Sequence, residues 1–159
     1  MPGTQGIICS GFSLKVTAIH AHVVVDTGPL VAIFDRSDEH HALCLDTLRI
    51  IQPPMWTTWP VLTEVAWLIR DQPKGLQSLW TLVETGLLRI ADPPELCLAE
   101  MAHIQKRFPT LHLQLADMTL LLVAERDPLK TIFTLDQRDF TVIQKKSRGK
   151  LKLLPAGVG

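Results

Sequence analysis

Apolar and polar positions along this chain change period repeatedly, from short continuous runs to helical stripes and back. Val23-Val24-Val25 is a run of three β-branched residues and predicts a short, fully buried strand. Thr27-Gly28-Pro29 breaks it, and Pro29 suits the first turn of a following helix, where its missing N–H costs nothing. A polar loop then leads to a helix from about His40 to Ile51, with His41, Leu45 and Leu48 on one stripe, stopped by Gln52-Pro53-Pro54. Met55-Trp56-Thr57 predicts a strand, Thr58 a cap, and Pro60 the first turn of a helix reaching Arg70. Val61, Leu62, Val65, Leu68 and Ile69 form that helix's apolar face. The next helix, about Lys74 to Thr85, turns Leu76, Leu79, Trp80 and Val83 inward and stops at Gly86.

Leu87 to Ala91 reads as a strand, and Pro93-Pro94 opens a helix striped by Cys97, Met101, Ile104 and Phe108. Leu115 to Arg126 is apolar nearly all the way round and predicts a buried helix. Thr131 to Thr134 is a strand, Gln137 to Gln144 a helix of one or two turns, and Leu151 to Leu154 a last edge strand. Strands alternating with helices give an α/β fold with a parallel sheet and right-handed crossovers.

Composition narrows this further. The 159 residues are 47% hydrophobic, enough for one domain with a sizeable core. We expect a single domain over 22–154, a poorly ordered extension at 1–21 and a tail at 155–159. The formal charge is zero, so any nucleic-acid surface must be local. Cys9, Cys44 and Cys97 show no CxxC spacing, which suggests neither a disulfide framework nor a zinc site. No apolar run approaches a membrane span, and the first twenty residues lack a secretory n-region. A cytoplasmic protein is expected.

The chemistry lies in the acids. Asp26 and Asp136 fall at the carboxyl ends of predicted strands, where open α/β sheets bind ligands. At about 100° per residue, Glu64 sits at the rim of its helix's apolar face, and Asp117 lies in the first turn of the buried helix. Singly, each has a plain structural reading: Asp26 and Asp117 as helix caps, Glu64 as a solvated side chain, Asp136 and Asp139 as turn residues. Together they repel, by about 1–4 kcal/mol per ionised pair at ~4 Å. Such a cluster makes sense as a cage for a hard divalent cation, Mg²⁺ or Mn²⁺, that activates water for attack at phosphorus.

In order and spacing, Val-Asp-Thr at a strand end, Thr-Glu on the third helix, Leu-Ala-Asp opening a buried helix and Thr-Leu-Asp-Gln-Arg-Asp-Phe near the end resemble PIN-domain ribonucleases. They are most similar to VapC-type toxins of toxin–antitoxin pairs, and the likeness runs from about Val23 to Ile143. The resemblance implies a three-layer α/β/α fold with a mainly parallel sheet and a Mg²⁺- or Mn²⁺-dependent endoribonuclease leaving 5′-phosphate and 3′-hydroxyl ends. It maps the catalytic and metal positions onto Asp26, Glu64, Asp117 and Asp136, with Thr27 or Thr134 as candidate hydroxyl helpers; Asp139 is read beside them as a structural or supporting acid. It also implies a homodimer silenced by a small antitoxin. Met118, where many relatives have Ala, and Thr110, in a loop that is often acidic, depart from the pattern.

Near the carboxyl end Arg138, Lys145, Lys146 and Arg148 gather after Asp136 and are candidate contacts to an RNA backbone. Trp56, Trp59, Trp67 and Trp80 are aromatic enough to stack bases, although Trp67 and Trp80 fall within helices. Asp26-Thr27-Gly28 also matches aspartic proteases, but Pro29 and the helical pattern after it oppose the β-rich fold they need. Two readings stay beside the toxin: a PIN-like RNA-processing or DNA-directed nuclease without an antitoxin, and a PIN-like module that binds without cutting.

Overall fold

The structure, a computed structural model, describes residues 21–91, 97–126, 129–147 and 150–156. Five strands, β1 (Val23–Val25), β2 (Met55–Thr57), β3 (Leu88–Ile90), β4 (Thr131–Phe133) and β5 (Lys152–Leu154), form one sheet in the order β3-β2-β1-β4-β5. Every pairing is parallel. The helices are α1 (Thr27–Phe34), α2 (His41–Arg49), α3 (Trp59–Leu68), α4 (Pro73–Glu84), α5 (Cys97–Arg107), α6 (Leu115–Ala124) and α7 (Gln137–Lys146). They flank the sheet in the three-layer α/β/α arrangement. Among the described residues no helix is long and apolar enough to cross a membrane.

The all-apolar β1 lies in the middle, and Val23, Val24 and Val25 are completely buried. A strand covered on both faces needs such a continuous run. From β1 the chain steps outward through β2 to β3, then crosses back to β4 and steps outward to β5. Strand order therefore reverses between β1 and β4. At such a switch point, the loops leaving neighbouring strands diverge and open a crevice at their carboxyl ends.

Local patterning explains most elements. α6 is buried from Met118 through Ala124 because it carries no polar face. α4 ends where Gly86 adopts φ 73°, a conformation that a side chain would strain. β5 is an edge strand, as its sequence suggests.

Four expectations are corrected. α2 is buried on Cys44 and Thr47, with Leu48 partly covered, rather than on a stripe through His41 and Leu45. His41 instead engages the Ala32 carbonyl through Nδ1 at 2.7 Å. Leu68 and Trp80 are exposed, since each sits at the outer edge of a face whose centre, Val65 with Ile69 or Leu79, already fills the core. Thr58 occupies the N-cap position of α3 but makes no side-chain cap bond. Its buried hydroxyl meets Thr119 of α6 at 2.9 Å. The extension at 1–20, the helix start at Pro93-Pro94 and the last tail residues lie outside the described residues.

Candidate active site

Asp26 follows β1 directly. Its N–H donates to the Phe133 carbonyl of β4 at 2.9 Å, which extends the ladder one step past the strand. Its backbone is still extended, and α1 begins at the next residue. Of the carboxylate oxygens, Oδ1 accepts from the Thr27 N–H at 2.7 Å and Oδ2 from the Thr134 hydroxyl at 2.7 Å. The side chain is thus pinned across the switch point by one group from each loop. Gly28 packs against the second loop, and a Cβ placed there would stand in ordinary contact, 3.4 Å from the Leu135 Cβ.

Thr27 donates its hydroxyl to Glu64 Oε2 at 2.9 Å, tying the middle of α3 to the start of α1. Asp117, the third residue of α6, accepts the Gln114 N–H at 2.7 Å. The Thr58–Thr119 contact sets the start of α6 against the start of α3. Asp136 caps α7, accepting the Asp139 N–H at 3.1 Å, and its own N–H donates to the Thr134 oxygen at 3.0 Å. Asp139 accepts Arg138 Nε at 2.9 Å.

Asp26, Asp117 and Asp136 each accept a backbone N–H at a helix start, and the charges of Asp26 with Asp117 and Glu64, and of Asp117 with Glu64, Asp136 and Asp139, act on one another. Burial pushes the Asp26 carboxyl up to about 6, against the opposing bonds from Thr134 and Thr27, and the charges of Asp117 and Glu64 push the same way. Asp117 is likewise raised, by burial first and then by Glu64, Asp136 and Asp139. Helix dipoles do not cancel this charge. Three helix N-termini, α1, α6 and α7, offer about +0.5 each, roughly +1.5 against four carboxylates. Among the described residues the salt bridge at this site is Arg138 to Asp139.

An uncompensated set of hard oxygen donors fits a divalent cation. Among the described residues no group of three or more His, Cys, Asp or Glu side chains is arranged to hold a metal ion by itself. The fit is therefore to an ion such as Mg²⁺, which keeps several waters and binds through one or two carboxylates. A hollow of about 760 Å³ lies at the far end of α1, lined by Phe34, Arg36 and Lys74 among others, and shares none of these acids.

Of the sequence candidates, Asp26, Glu64, Thr27 and Thr134 are joined by direct bonds. Asp117, Asp136 and Asp139 join the group through charge and backbone contacts. Lys145 and Lys146 do not come near. The ten residues of α7 after Asp136, Gln137–Lys146, at ~1.5 Å per residue carry them ~15 Å away. Arg148 lies outside the described residues. The Thr58–Thr119 pair was missed, and nothing local signals it, because the partners are 61 positions apart.

The PIN domain family model matches residues 23–146. The chain is 23% identical over 135 residues to ribonuclease VapC26 of Mycobacterium tuberculosis, covering 84% of this chain and 100% of that protein. The crystal structure of Mycobacterium tuberculosis VapC20, described as a sarcin-ricin loop cleaving toxin, matches with a TM-score of 0.67 at 14% identity. It covers 76% of this chain and 94% of that one, a likeness of fold.

Proposed function

This chain belongs to the PIN domain family, and from that premise we propose that it is a divalent-metal-dependent endoribonuclease of the VapC toxin type. The observation that carries the reading is Asp26. It is a buried carboxylate at the switch point, raised to about 6 by burial and by neighbouring acids, and held by hydroxyl and N–H donors rather than by a cation. Such a group gains most from a bound cation. The similarity to a named ribonuclease supports RNA as the substrate.

Asp26 and Asp117 are the direct ligands in this reading. Each carboxylate oxygen keeps acceptor capacity beyond its single capping bond. Glu64 and Asp136 complete the cage or orient water. Thr27 and Thr134 hold Glu64 and Asp26 in place, Asp139 supports the start of α7, and the highly exposed Arg138 meets a backbone phosphate. Bound Mg²⁺ or Mn²⁺ supplies Lewis acidity toward a phosphate oxygen and toward water. The reaction is hydrolysis: the water oxygen bonds to phosphorus and the bond to the 3′-oxygen breaks, leaving a 5′-phosphate and a 3′-hydroxyl. A small antitoxin, a homodimeric state and a cytoplasmic setting belong to the same reading.

A PIN-like module that binds RNA without cutting is favoured by the lack of a preformed three-ligand set among the described residues. Against it stands the cost of keeping carboxylates that raise one another's pKa. End-mapped cleavage of total RNA separates the two. Cutting by the wild type with Mg²⁺ or Mn²⁺, lost with EDTA and lost in Asp26→Asn, is the expected outcome. Cutting that survives EDTA excludes the mechanism, and no cutting with either metal favours the binding module.

A further inference from the structure

The structure separates the four tryptophans by their surroundings. Trp56 is half-buried in β2, with the Arg89 guanidinium of β3 5.8 Å from its ring. Trp67 stands near the end of α3 and carries the Arg70 guanidinium 4.3 Å over its ring. Trp80 lies within α4. Trp59 is the first residue of α3 and 56% exposed, and among the described residues no cation covers its ring. Its neighbours in the chain hold it in place. Thr58 before it is completely buried and bonded to Thr119 of α6 at 2.9 Å, and Pro60 after it restricts its backbone.

A single exposed apolar side chain needs no explanation, but this one has company. α6 also starts on an exposed apolar residue, Leu115, which is 53% exposed. Leu115 stands one turn before Thr119 on the same face of α6. The Thr58–Thr119 bond therefore brings both helix starts, with both side chains, to one junction. Asp117 lies between Leu115 and Thr119 in the chain and accepts the Gln114 N–H there. Glu64 is five residues beyond Trp59, ~7.5 Å along α3. Rigid apolar surface thus stands open to water beside two of the candidate acids.

We propose that Trp59, with Leu115 beside it, is a platform on which one unpaired base of the RNA stacks, next to the phosphate held at the acids. The proposal rests on the ribonuclease reading and narrows its substrate to RNA with an unpaired base beside the cut. A base inside a duplex has no free face to offer. Because every base has a π-face, the platform selects strandedness and not sequence. A second copy of this chain is the competing occupant. Fully covered, Trp59 contributes roughly 200 Å², a fraction of the ~800 Å² per partner in a stable interface. A dimer face would have to continue along α3 to Trp67, ~12 Å away. A two-fold contact at the platform itself would turn Asp117 and Glu64 of two chains toward each other, against their charge.

The test reads binding separately from cutting. A single-stranded RNA carrying 2-aminopurine, whose fluorescence is quenched on stacking, is compared with the same RNA in a blunt duplex. Titrations in Ca²⁺, a hard cation for the same oxygen donors, use wild type, Trp59→Ala, Trp59→Phe, Leu115→Ala and Trp67→Ala. A gel checks that the strand stays intact, thermal melting confirms folding, and sedimentation gives the oligomeric state. Trp59→Ala is expected to bind the single strand roughly tenfold more weakly than wild type, and Trp59→Phe within about threefold of it. Leu115→Ala loses a smaller factor, Trp67→Ala loses none, and the duplex does not distinguish wild type from Trp59→Ala. Single-strand affinity of Trp59→Ala within about twofold of wild type, or an equal loss on the duplex, overturns the proposal. An equal loss in Trp67→Ala, with a dimer falling to monomers, assigns the face to a second copy instead. Stacking by a wild type that never cuts RNA with Mg²⁺ or Mn²⁺ keeps the platform and removes the nuclease reading. Cutting by Trp59→Ala at unchanged KM keeps the nuclease and removes the platform.

Discussion

Asp26 carries the most information at the scale of single residues, because its structural bonds and its electrostatic strain are both visible. Its pKa is higher in the folded chain, about 6, than the ordinary 3.8. The folded state therefore holds its proton while the unfolded chain ionises. Stability from this group is full below about pH 4, falls as pH rises toward 6 and is flat beyond, a loss on the order of 3 kcal/mol. Asp26→Asn has no proton to lose, and its side-chain oxygen still accepts the Thr27 N–H. In urea unfolding with EDTA, the stability of Asp26→Asn relative to wild type should rise by roughly 2–3 kcal/mol between pH 4 and pH 7. A difference that stays level or falls with pH contradicts the buried, raised carboxylate. Asp26, Thr27 and Thr134 were legible because strand ends and the turns after them are written in consecutive letters. Leu68 and Trp80 were misread as inward, since a helical stripe marks a face without telling where its edge stops being covered.

Elements are where local reading reaches its limit. The helix and strand periods gave β1, β2, β4 and the buried α6 nearly residue for residue, because each is a run of one character bounded by Pro, Gly or an acid. The burial of α2 on Cys44 and Thr47 was not legible, because His41 and Leu45 make an equally regular stripe and only α1, packed alongside, selects between them. Thr58 shows the same limit. Its type and position predicted a cap, yet its hydroxyl serves α6. The Thr119 hydroxyl donates to the Ala116 carbonyl at 3.0 Å, so Thr58 is the donor in their shared bond. Thr119→Val keeps the shape and leaves a buried donor without its acceptor. A loss of about 1–3 kcal/mol in chemical unfolding is expected, with weaker divalent-ion binding as the start of α6 loosens. A change under about 0.5 kcal/mol would show that the pair does not fix the two helices.

Across the whole molecule, a formal charge of zero conceals two poles. The starts of α1, α6 and α7 lie at the acids, while α6 and α7 end beside Arg107, so topology separates what composition averages out. That separation could not be read along the chain. The basic cluster follows the acids closely in sequence, and one helix carries it to the opposite side. The mutual charge effects among Asp26, Glu64, Asp117 and Asp136 were legible only as a joint pattern, because Asp26, Asp117 and Asp136 each also serve a helix start. The most direct test of a cation-binding acidic pole is Mn²⁺ titration followed by electron paramagnetic resonance at pH 7, on the wild type, Asp26→Asn and Asp117→Asn. One saturable ion per wild-type chain, lost or much weakened in both variants, is the expected result. Mn²⁺ that stays free with wild type, or binds all three proteins alike, would contradict the claim.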